Sequence, residues 1–537
     1  MTPRRTAPRD RMTPRGRITS DRSLALVRRA EALLDTGLVR EADVLLRPAV
    51  GSRLPEALLL AARCALRHGD FPAARALAAE AEDLFLGVNR PSSVPAARAV
   101  ALLAGAPGSP IEVADACDRH GFPDDAAELR LRHAPEQAAA RRDRGTSRSR
   151  AIGWLARARL APTRRDAVAA CRAGLARHDP DTRGDLVDIA LDHALTSSDA
   201  RSAWRWNERR PADPTQPAPE VARARAELRL ARVQGDRDRI ARLERELHGL
   251  ARSTPASGRP AVALNDVVDA LGDRALLVFI SHRERLFAVS VVGRRVRLHD
   301  FGEARTAARH VRSLSLADAP HAVADLDRLL RPAGDRPLVV VPSPELARMP
   351  WAALPSGRGR AISVAPSASC WHRADTRPLA LADRLWVAGP SLLHAHREVE
   401  ALREAHGGRI RSTVGGALRG MVDADVAHIA AHGVRQGREN ELFSYLQLGD
   451  GPLHGYELDD LTRVPSVVVL SACESGLASV LLRRGARVVV ESVRAVPDDR
   501  VVDLMVDLHA NLEQPAQALA DAQARHGDLG FVCVGSG

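Results

Sequence analysis

The chain has 537 residues, a formal net charge of +11, and 45% hydrophobic residues. This length suffices for about three or four domains with cores of their own, which excludes a disordered or fibrous chain. All 78 basic residues are arginine, because the sequence contains no lysine. The absence of lysine excludes Walker A phosphate loops, protein kinases, Schiff-base aldolases and pyridoxal-phosphate enzymes.

The arginine content does not indicate a nucleic-acid partner. Arginine and alanine are abundant while lysine is absent, which is typical of high-GC coding and not of selection for a polyanion. Nucleic acid is therefore not expected as a partner.

The cysteines and the termini bear on cofactors and location. Six cysteines lie far apart without a C-x-x-C pair, which argues against a disulfide framework and a thiolate zinc site. No metal and no cofactor is predicted. Residues 1–19 form an arginine-rich segment with no apolar stretch after it, and are interpreted as a disordered basic tail. Since no uncharged apolar run approaches about 18 residues, we expect a cytoplasmic protein with no membrane partner.

Residues 20–252 have a helical pattern, with apolar residues at spacings of three and four and few β-branched runs. The stretch around Gly37 and Ala42 resembles the stretch around Gly69, Ala73 and Ala76. A small residue at a tight turn, followed by alanine facing a partner helix, is what stacked helix pairs require. Weaker copies lie at Gly121 and Gly235. The region therefore resembles tetratricopeptide-type (TPR-like) helical repeats, and an irregular helical bundle is the alternative.

The composition changes at residues 253–262, which we interpret as a linker. In residues 263–537, short β-branched runs alternate with helical stretches, which predicts a mostly parallel sheet covered on both faces. The first strands are expected to form an antiparallel annex. The predicted strands begin at Ala275, Leu286, Pro337, Arg384, Asp425, Ser466 and Ala486.

Two reactive side chains follow two of these strands. His432-Gly433 closes the apolar run "VAHIAA", and Cys473 follows "VVVLSA". In parallel sheets the chemistry lies past the carboxyl ends of the strands, and thiolate attack requires an imidazole within hydrogen-bond reach. His432 and Cys473 are therefore the candidate catalytic pair. His428, at even spacing in the same strand, is interpreted as a core or supporting histidine.

The residues around this pair resemble CHAT domains, relatives of the caspase-like cysteine peptidases and separases that are often fused to tetratricopeptide repeats. The resemblance rests on five ordered motifs: "VVVPSPELARMPWAAL", "VAHIAAHG", "FSYLQLGDGPL", "VVVLSACESG" and "RGARVVVESVRAVPD". It implies an α/β caspase-like domain in residues 263–537, with Cys473 as nucleophile and His432 as general base. It also implies that the Gly433 N–H contributes to an oxyanion hole, for which the Cys473 N–H is a second donor.

The resemblance predicts a cysteine endopeptidase that cleaves a protein or peptide substrate, with an activating partner protein binding the helical repeats. The alternative is an inactive CHAT scaffold that binds peptides. Its motivation is the segment after Cys473, which meets the next helix without the Gly- and acid-containing loop usual in the family. A third interpretation, an α/β-hydrolase, would instead use Asp503 with His509 or His526, but the G-x-[SC]-x-G elbow is absent.

The substrate-binding residues are unknown from sequence. Glu474 and Glu491 lie near the predicted mouth, where they are either readers of a basic side chain or ordinary solvated acids. Trp351 is predicted to be a packing residue. Ser444 and Asp450, in the loop between the two strands, are expected either to shape the pocket or to cap the segment "YELDDL".

Overall fold

The computed structural model describes residues 24–210 except 32 and 35–38, single positions between 224 and 247, and residues 260–537 except 317–319, 391, 393, 436–440 and 497–499. The predicted basic tail, the turn glycines Gly37 and Gly235, and most of the predicted linker lie outside these residues. The chain separates into two compact units, residues 1–190 with 245–255 and residues 191–244 with 256–537.

The described part of the first unit is helical. Its helices are α1 (Val39–Gly51), α2 (Pro55–His68), α3 (Phe71–Gly87), α4 (Val94–Leu103), α5 (Pro110–His120), α6 (Pro123–His133), α7 (Pro135–Ala140), α8 (Ser147–Arg159), α9 (Arg164–Leu175) and α10 (Pro180–Thr196), the last of which crosses into the second unit. Consecutive helices pack against each other, as α2 with α3 and α5 with α6. The predicted helical character of this region is confirmed.

The predicted turn glycines have a conformational reason. Gly69 and Gly121 end α2 and α5 with φ of 78° and 87°, a left-handed conformation that favours glycine. Of the alanines predicted to face a partner helix, Ala42 is buried, whereas Ala73 is only half-buried and Ala76 is exposed. The buried stripe of α3 is formed by Ala74, Ala78 and Ala81, whose spacing of three and four residues follows the helical period.

The second unit contains an eleven-stranded sheet and a three-stranded sheet. The strands are β1 (Ala275–His282), β2 (Arg285–Val292), β3 (Arg295–Glu303), β4 (Leu338–Val341), β5 (Ile362–Val364), β6 (Arg384–Ala388), β7 (Arg409–Arg411), β8 (Val426–Ala430), β9 (His432–Val434), β10 (Tyr445–Leu448), β11 (Gly451–His454), β12 (Val467–Ser471), β13 (Val488–Ser492) and β14 (Phe531–Gly535). The strand order of the larger sheet is β3-β2-β1-β4-β5-β14-β13-β12-β8-β6-β7, and β9, β10 and β11 form the smaller one.

The mostly parallel sheet is confirmed, and so is the antiparallel annex of β1, β2 and β3. The parallel part of the sheet consists of two blocks, β1-β4-β5-β14 and β13-β12-β8-β6-β7. The blocks run in opposite directions, because β13 and β14 pair antiparallel. Sequence periodicity missed four strands of this sheet, namely β3, β5, β7 and β14. Strands β5 and β7 have three residues each, and a hydrophobic period needs a longer run to be recognised. Strand β3 has no fully buried residue and therefore lacks an apolar run.

Helices cover this unit. They are α11 (Ala200–Asn207), α12 (Leu264–Leu271), α13 (Ala304–Leu316), α14 (Pro320–Asp327), α15 (Ala368–Asp375), α16 (Ala395–His406), α17 (Val414–Asp423), α18 (Gly455–Leu458), α19 (Ala478–Arg484), α20 (Val501–His509) and α21 (Pro515–His526).

The central strands bury side chains on both faces. Val468 and Leu470 of β12 pack in one core with α19, whereas Val467 and Val469 pack in another with α20 and α21. Alternate residues of a strand point to opposite faces, so a continuous apolar run such as "VVVL" is what a strand buried on both sides requires. This burial makes the centre of the sheet a rigid platform for the residues that follow β8 and β12.

Candidate active site

His432 and Cys473 follow neighbouring strands. Strands β8 and β12 are parallel partners in a register that pairs Ala430 with Ser471. Just beyond it, the Ala431 N–H donates to the Ser471 carbonyl oxygen at 3.2 Å. Strands β8 and β12 therefore end at the same level of the sheet. Buried, hydrogen-bonded backbone on each side sets the positions of the two candidate residues.

Gly433 lies against the backbone of Cys473. It belongs to β9, where His432 is paired with Gln447 and Gly433 with Leu446 of β10. A Cβ at position 433 would lie well under 3.0 Å from the Cys473 carbonyl oxygen. Only glycine allows this approach, so the glycine after His432 is required by the packing of the β9 backbone on the Cys473 segment.

Cys473 differs from the other thiols in its surroundings. Its side chain is partly exposed, and its sulfur accepts a hydrogen bond from the Val496 N–H at 3.3 Å. Within the described residues, the Cys473 N–H donates to no backbone carbonyl, so this donor remains available. Cys64, Cys117 and Cys171 are buried, and burial raises the pKa of each thiol to about 12.

The two remaining cysteines, Cys370 and Cys533, also differ in burial. Burial raises the pKa of Cys533 to about 12, whereas Cys370 on α15 is partly exposed. Since the thiolate is the nucleophile, Cys473 and Cys370 are the two accessible candidates, and only Cys473 lies beside a histidine-bearing strand. His432 is exposed, and among the described residues no hydrogen bond joins its ring to the Cys473 thiol.

Glu474 turns the chain sharply after the candidate nucleophile. Its φ of 33° is positive, which is uncommon for a residue with a side chain. The Glu474 carboxylate forms an ion pair with Arg348, which follows β4 in the same unit. The acid adjacent to Cys473 therefore has a basic partner within the domain.

Glu491 lies beneath the same segment. It is in register with Leu470, one strand from Cys473, and the Ser475 hydroxyl donates to its carboxylate at 3.3 Å. Burial, with a smaller contribution from Glu441, raises the pKa of Glu491 to about 7 against the opposing effects of Arg435, the Ala478 N–H and Ser475. Sequence reasoning placed Glu491 near the mouth but missed Arg435 and Ser475, whose only signal was their position two residues after Gly433 and Cys473.

His428 is a core residue, as its position in β8 suggested. It is fully buried, and its register partner in β12 is Val469. Its side chain therefore lies on the face of the sheet opposite to that of Leu470. Its Nε2 lies 2.8 Å from the Glu398 carboxylate and its Nδ1 lies 3.1 Å from Nε2 of His509. Burial beside His428 holds the pKa of His509 well below its usual range.

The histidines that an α/β-hydrolase would use have partners elsewhere. His509 is buried against His428, and His526 lies 2.6 Å from Asp507. Among the described residues no hydrogen bond joins either histidine to Cys473. The predicted packing role of Trp351 agrees with its burial and with its ring, which stacks on Phe279 at a centroid distance of 6.0 Å.

The loop residues between the two strands have structural positions. Ser444 is fully buried. The Asp450 carboxylate accepts a hydrogen bond from the Val414 N–H at 2.6 Å, at the start of α17. The Asp450 contact caps α17 and not the segment 456–461, so the choice between pocket and cap stays a prediction.

In the part of the chain that the structure describes, no group of three or more histidine, cysteine or acidic side chains is arranged to hold a metal ion. None of the helices in this part is long and apolar enough to cross a membrane.

The sequence and fold have relatives among known proteins. Residues 315–527 match the family model of the CHAT domain, which confirms the resemblance for this part of the chain. The structure is similar to two crystal structures of the Saccharomyces cerevisiae separase–securin complex, with TM-scores of 0.52 and 0.50 and 9% sequence identity in each case. The alignments cover 98% of this chain and 50% and 51% of the separase chains.

At 9% identity these similarities establish the fold alone. The predicted fold class, a caspase-like α/β domain preceded by helices, is confirmed. The chain spans about half the length of the separase chains it matches. A search of curated proteins finds no match.

Proposed function

We propose that this protein is a cysteine endopeptidase in which His432 activates Cys473 to cleave a protein substrate. The observation that carries the proposal is the in-register pair of β8 and β12, which brings a histidine and a partly exposed cysteine to the same level of a buried sheet. The CHAT match and the separase-like fold support a caspase-like peptidase family. The roles of the individual residues are inferred from their positions.

The chemistry follows from these positions. His432 takes the proton of the Cys473 thiol, and the thiolate attacks the carbonyl carbon of the scissile peptide bond. The resulting oxyanion accepts hydrogen bonds from the Gly433 and Cys473 N–H groups. Protonated His432 then gives its proton to the leaving amine, the C–N bond breaks, and an acyl-thioester remains on Cys473.

Water completes the cycle. His432 removes a proton from a water molecule, which attacks the thioester and forms a second tetrahedral intermediate. Collapse of this intermediate releases the new carboxyl terminus and returns the proton to the sulfur. No metal or organic cofactor is required, since the thiol supplies the nucleophile and the imidazole moves each proton.

The helical unit is proposed to regulate this activity by binding a partner protein. Stacked helices present extended surfaces that bind peptides and proteins. The similar separase structures were determined as complexes with securin, which supports a protein as the regulatory partner here.

Labelling with a peptidyl acyloxymethyl ketone tests the proposal. Wild type, His432→Ala and Cys473→Ala are treated with the probe, and the labelled residue is identified by peptide mass spectrometry. We expect labelling at Cys473 to fall by about 100-fold or more in His432→Ala, because a positioned base contributes about that much. Labelling is expected to disappear in Cys473→Ala.

His120→Ala is the matched control. His120 is an exposed histidine that also precedes a glycine, and it lies in the helical unit, so its removal should leave labelling unchanged. Equal labelling of Cys473 in wild type and His432→Ala would refute the assigned base. No labelling of Cys473 in wild type, with or without added lysate as a source of activator, would instead favour the inactive scaffold.

A further inference from the structure

Glu491 links the segment after Cys473 to the sheet. Strand β13 alternates so that Val488 and Val490 pack towards α20 and α21, while Val489 packs on the opposite face. Glu491 therefore points to the face of Val489, towards the start of α19. There its carboxyl group accepts hydrogen bonds from the Ser475 hydroxyl, at 3.3 Å, and from the Ala478 N–H. These two donors bracket the turn that follows the candidate nucleophile.

Arg435 approaches the same turn from the histidine strand. It follows β9 directly, and its side chain lies over Gly476, where an added Cβ would be 3.1 Å from the Arg435 Nε. Gly476 has a φ of 65°, so a larger residue would be strained there as well as crowded. The Arg435 guanidinium attracts the Glu491 carboxylate. One carboxyl group thus faces both the cysteine segment and the histidine strand.

We propose that Glu491 is a positioning residue that holds the Cys473 turn through Ser475 and draws the His432 strand towards it through Arg435. The inference rests on the proposed function of the two catalytic candidates. Glu491 touches neither a substrate nor the reacting atoms, so it acts only through the geometry of the pair. Displacements of about 1 Å between reacting groups can cost a factor of about 100 in rate.

The charge of Glu491 makes this role dependent on pH. Burial and Glu441 raise its pKa to about 7, against the opposing effects of Arg435, Ala478 and Ser475. Above neutral pH the ionised carboxylate attracts Arg435, and below it the protonated group does not. The pairing of His432 with Cys473 should therefore weaken as Glu491 becomes protonated.

The rate of Cys473 alkylation by iodoacetamide, measured from pH 5.5 to 8.5 by peptide mass spectrometry, tests this role without a substrate. In Glu491→Gln we expect the rate at pH 8 to fall by about tenfold or more, with little difference from wild type at pH 5.5. In wild type, one inflection of the profile belongs to Glu491. It should move to lower pH in Glu441→Gln, because Glu441 raises the pKa of Glu491. It should disappear in Arg435→Gln, because the pH-dependent attraction acts through Arg435.

Glu398→Gln is the matched control, since Glu398 is a buried glutamate that contacts His428 on the other face of the sheet. Its profile should keep the wild-type inflections, and the rate at Cys370 should be the same in every variant. Unchanged profiles in Glu491→Gln, with a large loss in His432→Ala, would overturn the positioning role and leave the peptidase proposal intact. Equal rates in His432→Ala and wild type would overturn the peptidase proposal itself.

Discussion

The most quantitative prediction concerns the stability cost of the Glu491 charge. Its pKa in the folded protein is about 7, raised by burial from an ordinary value of 4.5. Because the folded-state value lies above the unfolded one, the folded form holds a proton that the unfolded form has already released between these two pH values. The stability that this group contributes is therefore fully present at low pH and is lost as the pH rises through 7.

The size of the effect follows from linkage at about 1.4 kcal/mol per pH unit. Between pH 5 and pH 8, the free energy of unfolding of wild type should fall by about 2.5 kcal/mol relative to that of Glu491→Gln, which cannot titrate at this position. Taking the difference between the two proteins cancels every other titrating group. Urea unfolding followed by tryptophan fluorescence measures it, since five of the six tryptophans lie in the unit that contains Glu491.

Parallel dependences of stability on pH in the two proteins would refute this reasoning, because they would mean that the Glu491 carboxyl ionises alike in folded and unfolded chains. A greater stability of Glu491→Gln at pH 8, combined with slower alkylation of Cys473, would have a clear interpretation. The variant would lose reactivity although it is the more stable protein, so unfolding would not explain the loss.

Three further predictions test the site and its support. Gly433→Ala should reduce Cys473 alkylation by about 100-fold or prevent folding, because the added Cβ would overlap the Cys473 carbonyl oxygen; alkylation rates and circular dichroism distinguish the two. Burial beside His428 holds the pKa of His509 well below its usual range, so lowering the pH from 7 to 5 should destabilise wild type more than His509→Phe, as urea midpoints would show. Trp351→Ala should cost about 3–5 kcal/mol of stability, since its buried ring stacks on Phe279, while the alkylation rate of folded molecules stays unchanged.

Each of these predictions has its own control. Gly415→Ala is matched to Gly433→Ala, because the nearest atom to its added Cβ is the flexible Arg419 side chain at 3.4 Å, and we expect wild-type alkylation. In the unfolded chain, His509 binds a proton below about pH 6.5, so acid should favour unfolding of wild type. A wild type that gains stability on acidification relative to His509→Phe would contradict the lowered pKa of His509. A Trp351→Ala protein as stable as wild type would contradict the packing role.

Much of the fold was predictable from short-range patterns. Continuous β-branched runs such as Val467–Leu470 indicated strands buried on both faces, and glycines such as Gly69 indicated helix ends. Both signals are local, because burial on two faces and a left-handed turn each restrict the residue at its own position. The positions of the two candidate residues were predictable for the same reason. One apolar run ends in His432-Gly433, and another ends in Cys473.

The sequence by itself determined which residues carry reactive groups and at which ends of which strands they lie. Tertiary structure decided which strands are neighbours and which side chains meet across them. Only the register of β8 with β12 shows that Gly433 lies against Cys473, and only the alternation of β13 shows Glu491 beneath Ser475. These contacts join residues that are far apart in the chain, and the burial that sets the Glu491 pKa comes from all of them together, so no local pattern specifies it.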